Sequence, residues 1–177
     1  ALWWQYRYAQ RAIQTMILGF AHPCLVVENA DAVKDFYCDM FGFNVIGQES
    51  WSNQPMIDIA INVPGSNVNG YMLAGHNCFL EIHQYNTPAA STDGPQSLSA
   101  NEKGIRHLAF LVDDCFAESI RFEKLGGSIF SEPVEMSPGV HAVYGRDPFG
   151  HIIELFEPVS DDEKLTALPG ISHLQQY

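Results

Sequence analysis

Basic residues are scarce in this sequence. Only 9 Lys and Arg stand against 21 Asp and Glu, so the 177-residue chain has a formal charge of −12 at pH 7. A surface this negative repels the phosphates of nucleic acids and the headgroups of anionic membranes. We therefore expect neither a nucleic acid nor a membrane as partner.

Several other features are also missing. No apolar run approaches the ~20 residues that a membrane span requires, and the N-terminal stretch ALWWQYRYAQRAIQTM lacks the pattern of a secretory signal. The 4 cysteines are scattered without a CxxC pair, which is typical of reduced thiols. The chain contains no phosphate-cradling glycine loop and no nucleophile elbow. Together these absences predict a cytoplasmic protein without P-loop or serine-hydrolase chemistry.

What the sequence does contain is an internal repeat. Residues 20–43, FAHPCLVVENADAVKDFYCDMFGF, and residues 105–126, IRHLAFLVDDCFAESIRFEKLG, each read as an apolar strand, an acidic turn, an amphipathic helix and a glycine. In the first copy, apolar residues recur at helical spacing from Val33 to Met40, and Gly42 marks the helix end. Three further strands follow in each copy, so each predicts a βαβββ module.

The repeat divides the chain into five predicted segments. Within the first module, residues 50–67 form an extra excursion, in which the run from Met56 to Ile61 is consistent with an added or extended strand. The segments are an N-terminal helical extension over 1–17, a first βαβββ module over 18–85, a linker over 86–103, a second βαβββ module over 104–158 and a C-terminal tail over 159–177.

Each copy also supplies one His near the start of its first strand and one Glu inside its last strand. The pairs are His22 with Glu81 and His107 with Glu154. A Glu within an apolar strand must face water or be held by a cation, because burying it unpaired is costly. Any one of these residues alone is more typical of a sheet edge or a solvent-facing position. Four of them in one repeated frame predict a divalent metal site, with Ni, Co, Mn, Fe and Zn left open.

These motifs resemble those of the vicinal oxygen chelate superfamily, the glyoxalase and bleomycin-resistance group. The resemblance extends over residues 19–158 and rests on HPCLVVENADAVKDFYCDMFGF, CFLEIHQYNTP, GIRHLAFLVDD and YGRDPFGHIIELFEP. It implies an α+β fold in which two paired βαβββ modules form a cupped mixed sheet around a divalent metal ion, here with an additional N-terminal helix. It also implies that two chains pair as a homodimer.

The resemblance implies an activity as well. His22, Glu81, His107 and Glu154 match the four ligand positions of glyoxalase I and methylmalonyl-CoA epimerases. In those enzymes the metal stabilises an enolate while a carboxylate moves a proton beside a carbonyl. We assign that catalytic role to Glu154, with Glu81 as second candidate, and expect a metal-dependent isomerase, epimerase or lyase.

The substrate that best fits is a small, weakly charged carbonyl compound. Glutathione-dependent members of the group usually carry an Arg shortly after the first ligand, and residues 23–27, PCLVV, contain none. The chain also lacks a basic cluster suited to the phosphates of coenzyme A.

Two alternatives from the same superfamily stay open. An Fe(II) ring-cleaving dioxygenase binds its iron with two His and one Glu and leaves the other coordination positions open for dioxygen and a catechol-type substrate. In this chain Glu81 would occupy one of those open positions. A metal-free protein that binds or sequesters a small molecule would line its pocket with aromatic residues such as Trp51. Such a protein has no need for metal-coordinating His and Glu residues at all four positions. His83, which alternation places on the same face as Glu81, and His141 are further candidates for lining the cavity, and Asp58 is a candidate for a second acid or base if the excursion folds over the site.

Overall fold

The computed structural model describes residues 20–90 and 94–159, and the predicted helix over 1–17 and the tail beyond Val159 lie outside this range. The helices are α1 (Ala30–Phe41), α2 (Pro55–Ile61) and α3 (Cys115–Lys124), with a 3-10 turn at Pro95–Ser97. The strands are β1 (Cys24–Val26), β2 (Asn44–Gln48), β3 (Trp51–Ser52), β4 (Asn67–Gly75), β5 (Cys78–Thr87), β6 (His107–Leu111), β7 (Ser128–Ile129), β8 (Val134–Ser137), β9 (Val140–Arg146) and β10 (Ile152–Glu157).

The strands form two mixed sheets with the same topology. The first has the order β1-β5-β4-β2, with β3 paired to β4, and the second has the order β6-β10-β9-β7, with β8 paired to β9. In both sheets the N-terminal strand runs parallel to the last strand, whereas the other pairs are antiparallel. This α+β architecture confirms the predicted fold class, and the short strands β3 and β8 are additions to the predicted elements.

Helix α1 forms where the apolar spacing predicted it. The Asn29 side chain caps its start by accepting a hydrogen bond from the Ala32 amide, and Gly42 ends it with a φ of 68°. A single face is buried, comprising Ala30, Val33, Phe36, Tyr37, Met40 and Phe41. Helix α3 begins in the same way, because Asp114 accepts from the Ala117 amide.

The excursion over residues 50–67 corrects one expectation, because Met56 to Ile61 is helical rather than extended. Pro55 occupies the first turn, where its fixed φ and missing N–H are tolerated. The Asp58 carboxylate then accepts hydrogen bonds from the Gly65 and Ser66 amides, which folds the following loop back onto α2. A short apolar run fits either element by periodicity alone, and the proline with this side-chain anchor favours the helix.

The two modules share one aromatic core. The Phe36 ring of α1 packs edge-on against Phe122 of α3 and Phe149 of the last turn, with centroids 6.0 Å apart in both contacts. The Phe41 ring stacks on Phe110 of β6 at 3.8 Å. Since these contacts join residues of both repeats, the modules form a single hydrophobic unit.

Polar contacts also join the modules. The Arg121 guanidinium of α3 donates hydrogen bonds to the backbone carbonyls of Asp39 and Met40 at the C-terminal end of α1. Helix α1 has no basic residue in its own last turn, so the second module provides the positive charge that complements its dipole. Among the described residues, no helix is long and apolar enough to cross a bilayer.

A buried hydrogen bond connects α1 to the turn before β10. The Tyr37 hydroxyl donates to the carboxylate of Asp147 at 3.0 Å, and both side chains are buried. Asp147 also accepts from the amides of Phe149 and His151, and it contacts the His151 ring at 2.8 Å. Desolvation, together with the negative charge of Asp147, raises the pKa of Tyr37 well above its usual value. The hydroxyl is therefore a fixed donor at neutral pH.

Replacing Tyr37 with Phe tests this connection. The variant removes one donor from a buried carboxylate, so we expect the free energy of unfolding to fall by about 1–3 kcal/mol. Tyr71→Phe is the matched control, because the Tyr71 hydroxyl bonds to Asp31 at the surface, and we expect its loss to stay within about 0.5 kcal/mol. Urea denaturation of both variants makes the comparison, and equal losses would contradict a special contribution from Tyr37.

Candidate metal centre

The parallel strand pairs place each predicted His beside its predicted Glu. In the first sheet Cys24 is the parallel partner of Glu81, and in the second sheet Ala109 is the partner of Glu154. His22 and His107 each lie two residues before that partner. Because side chains alternate along a strand, each His and its Glu project from the same face of their sheet.

Both pairs are in contact. In the first module the His22 Nε2 lies 3.6 Å from the Glu81 Oε2, and in the second the His107 Nε2 lies 3.3 Å from the Glu154 Oε2. The two carboxylates are mostly shielded from solvent, with side-chain exposures of 18% and 14%. Each pair therefore offers one imidazole nitrogen and one carboxylate oxygen at a half-buried position.

A tyrosine absent from the predicted site lies beside the second pair. Tyr144 on β9 is the antiparallel partner of Glu154, and its ring packs edge-on against His107 with centroids 5.5 Å apart. Desolvation, followed by a hydrogen bond to Glu154 and its negative charge, raises the pKa of Tyr144 to about 12. Tyr144 is therefore a neutral donor that holds the Glu154 carboxylate.

The first module has different neighbours around its carboxylate. The other oxygen of Glu81, Oε1, lies 3.3 Å from the Nε2 of His83, and the His83 Nδ1 lies 3.5 Å from the Cys24 sulfur. Within the described residues, only Cys24, Glu81 and His83 form a group of three or more potential ligand atoms within 4.8 Å of one another. The two His–Glu pairs are therefore each assembled, but in this chain they do not form one such group.

The series Cys24, His83 and Glu81 resembles a catalytic triad in which a thiol nucleophile, an imidazole base and a carboxylate follow one another. The Cys24 thiol is nevertheless not activated as a nucleophile. Desolvation, followed by the hydrogen bond to Glu81 and its charge, raises the pKa of Cys24 to about 12. A nucleophilic cysteine requires the opposite shift. Desolvation also lowers the pKa of His83, although Glu81 opposes this shift. Both groups are therefore neutral at pH 7.

The excursion reaches this cluster through Trp51 of β3. The indole packs edge-on against His83 at 5.0 Å and donates a hydrogen bond of 2.7 Å to the Ser66 hydroxyl. Ser66 in turn donates to Asp58. Asp58, a candidate acid or base from the sequence, is thus engaged in holding the loop that supports Trp51. His141, the other candidate, lies near Glu157 at 3.7 Å and packs on Phe116.

Neither His–Glu pair lines the largest of the pockets described. This cavity of about 1080 Å³ lies between the modules and is bordered by Phe41, Phe110 and Arg121. A smaller cavity of about 100 Å³ includes His107 in its wall. The two imidazoles are partly exposed, with side-chain exposures of 35% for His22 and 41% for His107, and an open half-site of this kind encloses little volume.

Comparisons with known proteins agree with this fold. The chain is 23% identical over 141 residues to a probable lactoylglutathione lyase of Synechocystis sp., covering 78% of this chain and 95% of that protein. It superposes on a glyoxalase family protein from Bacillus cereus with a TM-score of 0.74 and 21% identity, covering 81% and 96% of the two chains.

A resistance protein shares the fold too. The fosfomycin resistance protein FosX from Mesorhizobium loti superposes with a TM-score of 0.53 and 19% identity, covering 85% of this chain and 98% of that one. Residues 19–155 match the family model of the glyoxalase/bleomycin resistance protein/dioxygenase superfamily. The repeated modules, the repeated His–Glu register and this match show that the chain belongs to that superfamily.

Proposed function

We propose that this protein is a divalent-metal-dependent isomerase, epimerase or lyase that moves a proton at a carbon next to a carbonyl of a small metabolite. The observation that carries the proposal is the repetition of one His–Glu contact in the same register of two parallel strand pairs. A purely structural His–Glu pair in one module gives no reason for the same pair in the other module. A metal site with four protein ligands uses both pairs, and so accounts for the repetition.

The donor set fits a divalent ion. Imidazole nitrogen and carboxylate oxygen together suit Ni, Co, Mn, Fe and Zn. Among the described residues, neither Glu81 nor Glu154 has a Lys or Arg within ion-pair distance, and the only ion-pair partners of the two carboxylates are histidines. Two half-buried carboxylates without a permanent cation are costly in a chain of charge −12, and a bound ion offsets that cost.

The proposed roles follow from these positions. His22, Glu81, His107 and Glu154 would hold a divalent ion, which when bound would supply Lewis-acid stabilisation of the charge that develops on the substrate carbonyl oxygen. Glu154 takes the proton from the adjacent carbon and returns it, because its carboxylate is shielded and fixed by the Tyr144 hydroxyl. Glu81 remains the second candidate for this step.

We infer that the complete site forms between two chains. Each module holds two ligands, and a zinc-type or related site needs three or four. Because the two pairs do not form one group within the described chain, a homodimer that apposes the first module of one chain to the second module of the other would complete two equivalent sites.

Mn²⁺ binding tests the ligand set, since this ion favours nitrogen and oxygen over sulfur ligands. We expect the parent protein to bind about one Mn²⁺ per chain and His107→Ala to lose that binding, as measured by electron paramagnetic resonance of the free ion. His76→Ala is the control, because His76 lies in the turn between β4 and β5 and contacts the Phe41 carbonyl. Unchanged binding in His107→Ala would overturn the ligand assignment.

Mixing two inactive variants tests whether the site is shared. In a dimer formed from one His22→Ala chain and one His107→Ala chain, one of the two composite sites retains all four ligands. After subunit exchange in an equal mixture we expect about one quarter of the Mn²⁺ sites to return, since half the dimers are mixed. A site contained within a single chain would give no recovery on mixing.

Proton exchange tests the catalytic role. The metal-loaded parent should catalyse deuterium uptake from D₂O beside the carbonyl of at least one compound in a panel of small hydroxycarbonyls, with lactoylglutathione included because of the Synechocystis relative. Glu154→Gln should slow this exchange by about 10²–10⁴-fold, as followed by NMR of the substrate. Glu157→Gln is the control on the same strand, because Glu157 accepts a hydrogen bond from the Cys115 amide and Gln keeps an acceptor there. Dioxygen consumption with a catechol and no exchange with any compound would instead favour the dioxygenase reading.

A further inference from the structure

The two modules differ at the positions that surround the repeated Glu. The parallel partner of Glu81 is Cys24, whereas that of Glu154 is Ala109. Two residues after the Glu, the first module has His83 and the second has Phe156. Ala109 and Phe156 show that a small residue and an apolar residue are compatible with the fold at these positions. The fold alone therefore does not explain the Cys24 thiol and the His83 imidazole of the first module.

These extra groups converge on Glu81. The ligand atoms of Cys24, Glu81 and His83 all lie within 4.8 Å of one another. The two oxygens of Glu81 face different partners, because Oε2 lies 3.6 Å from His22 and Oε1 lies 3.3 Å from His83. The oxygen of Glu81 that faces His83 is therefore distinct from the oxygen that faces His22.

The His83 ring is fixed but incompletely satisfied. It is only 8% exposed, and its Nε2 has no hydrogen-bond partner, since the approach to Glu81 is close without hydrogen-bond alignment. Trp51 packs against one side of the ring, and a Cβ on Gly70 would lie 2.8 Å from the His83 Cδ2. A buried imidazole nitrogen without a partner is costly, and a cation between it and Glu81 would remove that cost.

We propose that Cys24, Glu81 and His83 form a second cation-binding set within the first module, which shares only Glu81 with the four-ligand site and is selective for Zn²⁺ or a similar thiophilic ion. Thiolate, imidazole and carboxylate are all zinc ligands, and Cys24 would become a thiolate by releasing its proton to solvent as the ion binds. Three such ligands leave a fourth position for water or another donor. The thiol sulfur distinguishes this set from the four-ligand site, which offers only nitrogen and oxygen. The second module contributes nothing to it, so this proposal does not depend on the proposed function.

Co²⁺ is the probe, because cobalt bound to a thiolate shows a charge-transfer absorption band that nitrogen and oxygen ligands do not give. We expect the band in the parent chain and equally in His107→Ala, in which the four-ligand site is broken. It should disappear in Cys24→Ala and in His83→Phe, which introduce the residue types of the second module. Cys38→Ser is the control, because Cys38 lies on α1 outside the cluster.

Protection from alkylation provides a second measurement that does not depend on spectra. Zn²⁺ should slow the modification of Cys24 by iodoacetamide in the parent and in His107→Ala, and mass spectrometry of the peptides should show no such effect at Cys38. If His83→Phe does not fold, Cys24→Ala alone still decides the outcome, since Cys24 lies on an exposed edge strand. Cobalt bound without the band, a band that survives in Cys24→Ala, or no protection by Zn²⁺ would each overturn the proposal.

Discussion

The parallel pairing of the first and last strands of each module is the constraint on which the candidate site depends. Hydrogen bonds between β1 and β5, and between β6 and β10, fix which residues lie side by side across the pair. A shift of one residue would turn every side chain of β1 to the other face and separate His22 from Glu81. The same register occurs twice, so both His–Glu contacts follow from one structural rule.

The aromatic core between the modules keeps these sheets in a fixed relation. Phe36 and Phe41 of α1 contact Phe122, Phe149 and Phe110 of the second module. The buried hydrogen bond from Tyr37 to Asp147 complements this apolar contact. Because a hydrogen bond is directional, it fixes the position of α1 relative to the turn before β10 more narrowly than apolar packing alone. The two half-sites are thus carried by modules that share one core.

The sequence predicted the features that are encoded locally or by repetition. Apolar spacing and Gly42 predicted α1, and the repeated frame predicted two βαβββ modules. The repeated frame also singled out His22, Glu81, His107 and Glu154 as one ligand set, and their joint binding of a metal stays a prediction.

Features that depend on neighbouring strands were not predictable in the same way. Tyr144 lies beside Glu154 only because β9 and β10 pair in one register, and no local pattern near Tyr144 marks it. Cys24 next to His83 requires the parallel register of β1 and β5, although alternation did place His83 on the face of Glu81. The strand expected at Met56 to Ile61 was wrong, because Pro55 and the Asp58 anchor outweigh an ambiguous apolar run.

The Arg121 contact with the end of α1 also bears on how far the two modules are independent of each other. The carbonyls of Asp39 and Met40 are satisfied by a side chain encoded in the other repeat. Without the second module, these carbonyls would face water instead of a guanidinium. The end of a helix in one module is thus completed by a charge from the other, so the two modules form one electrostatic unit even though the residues at Cys24 and Ala109 differ.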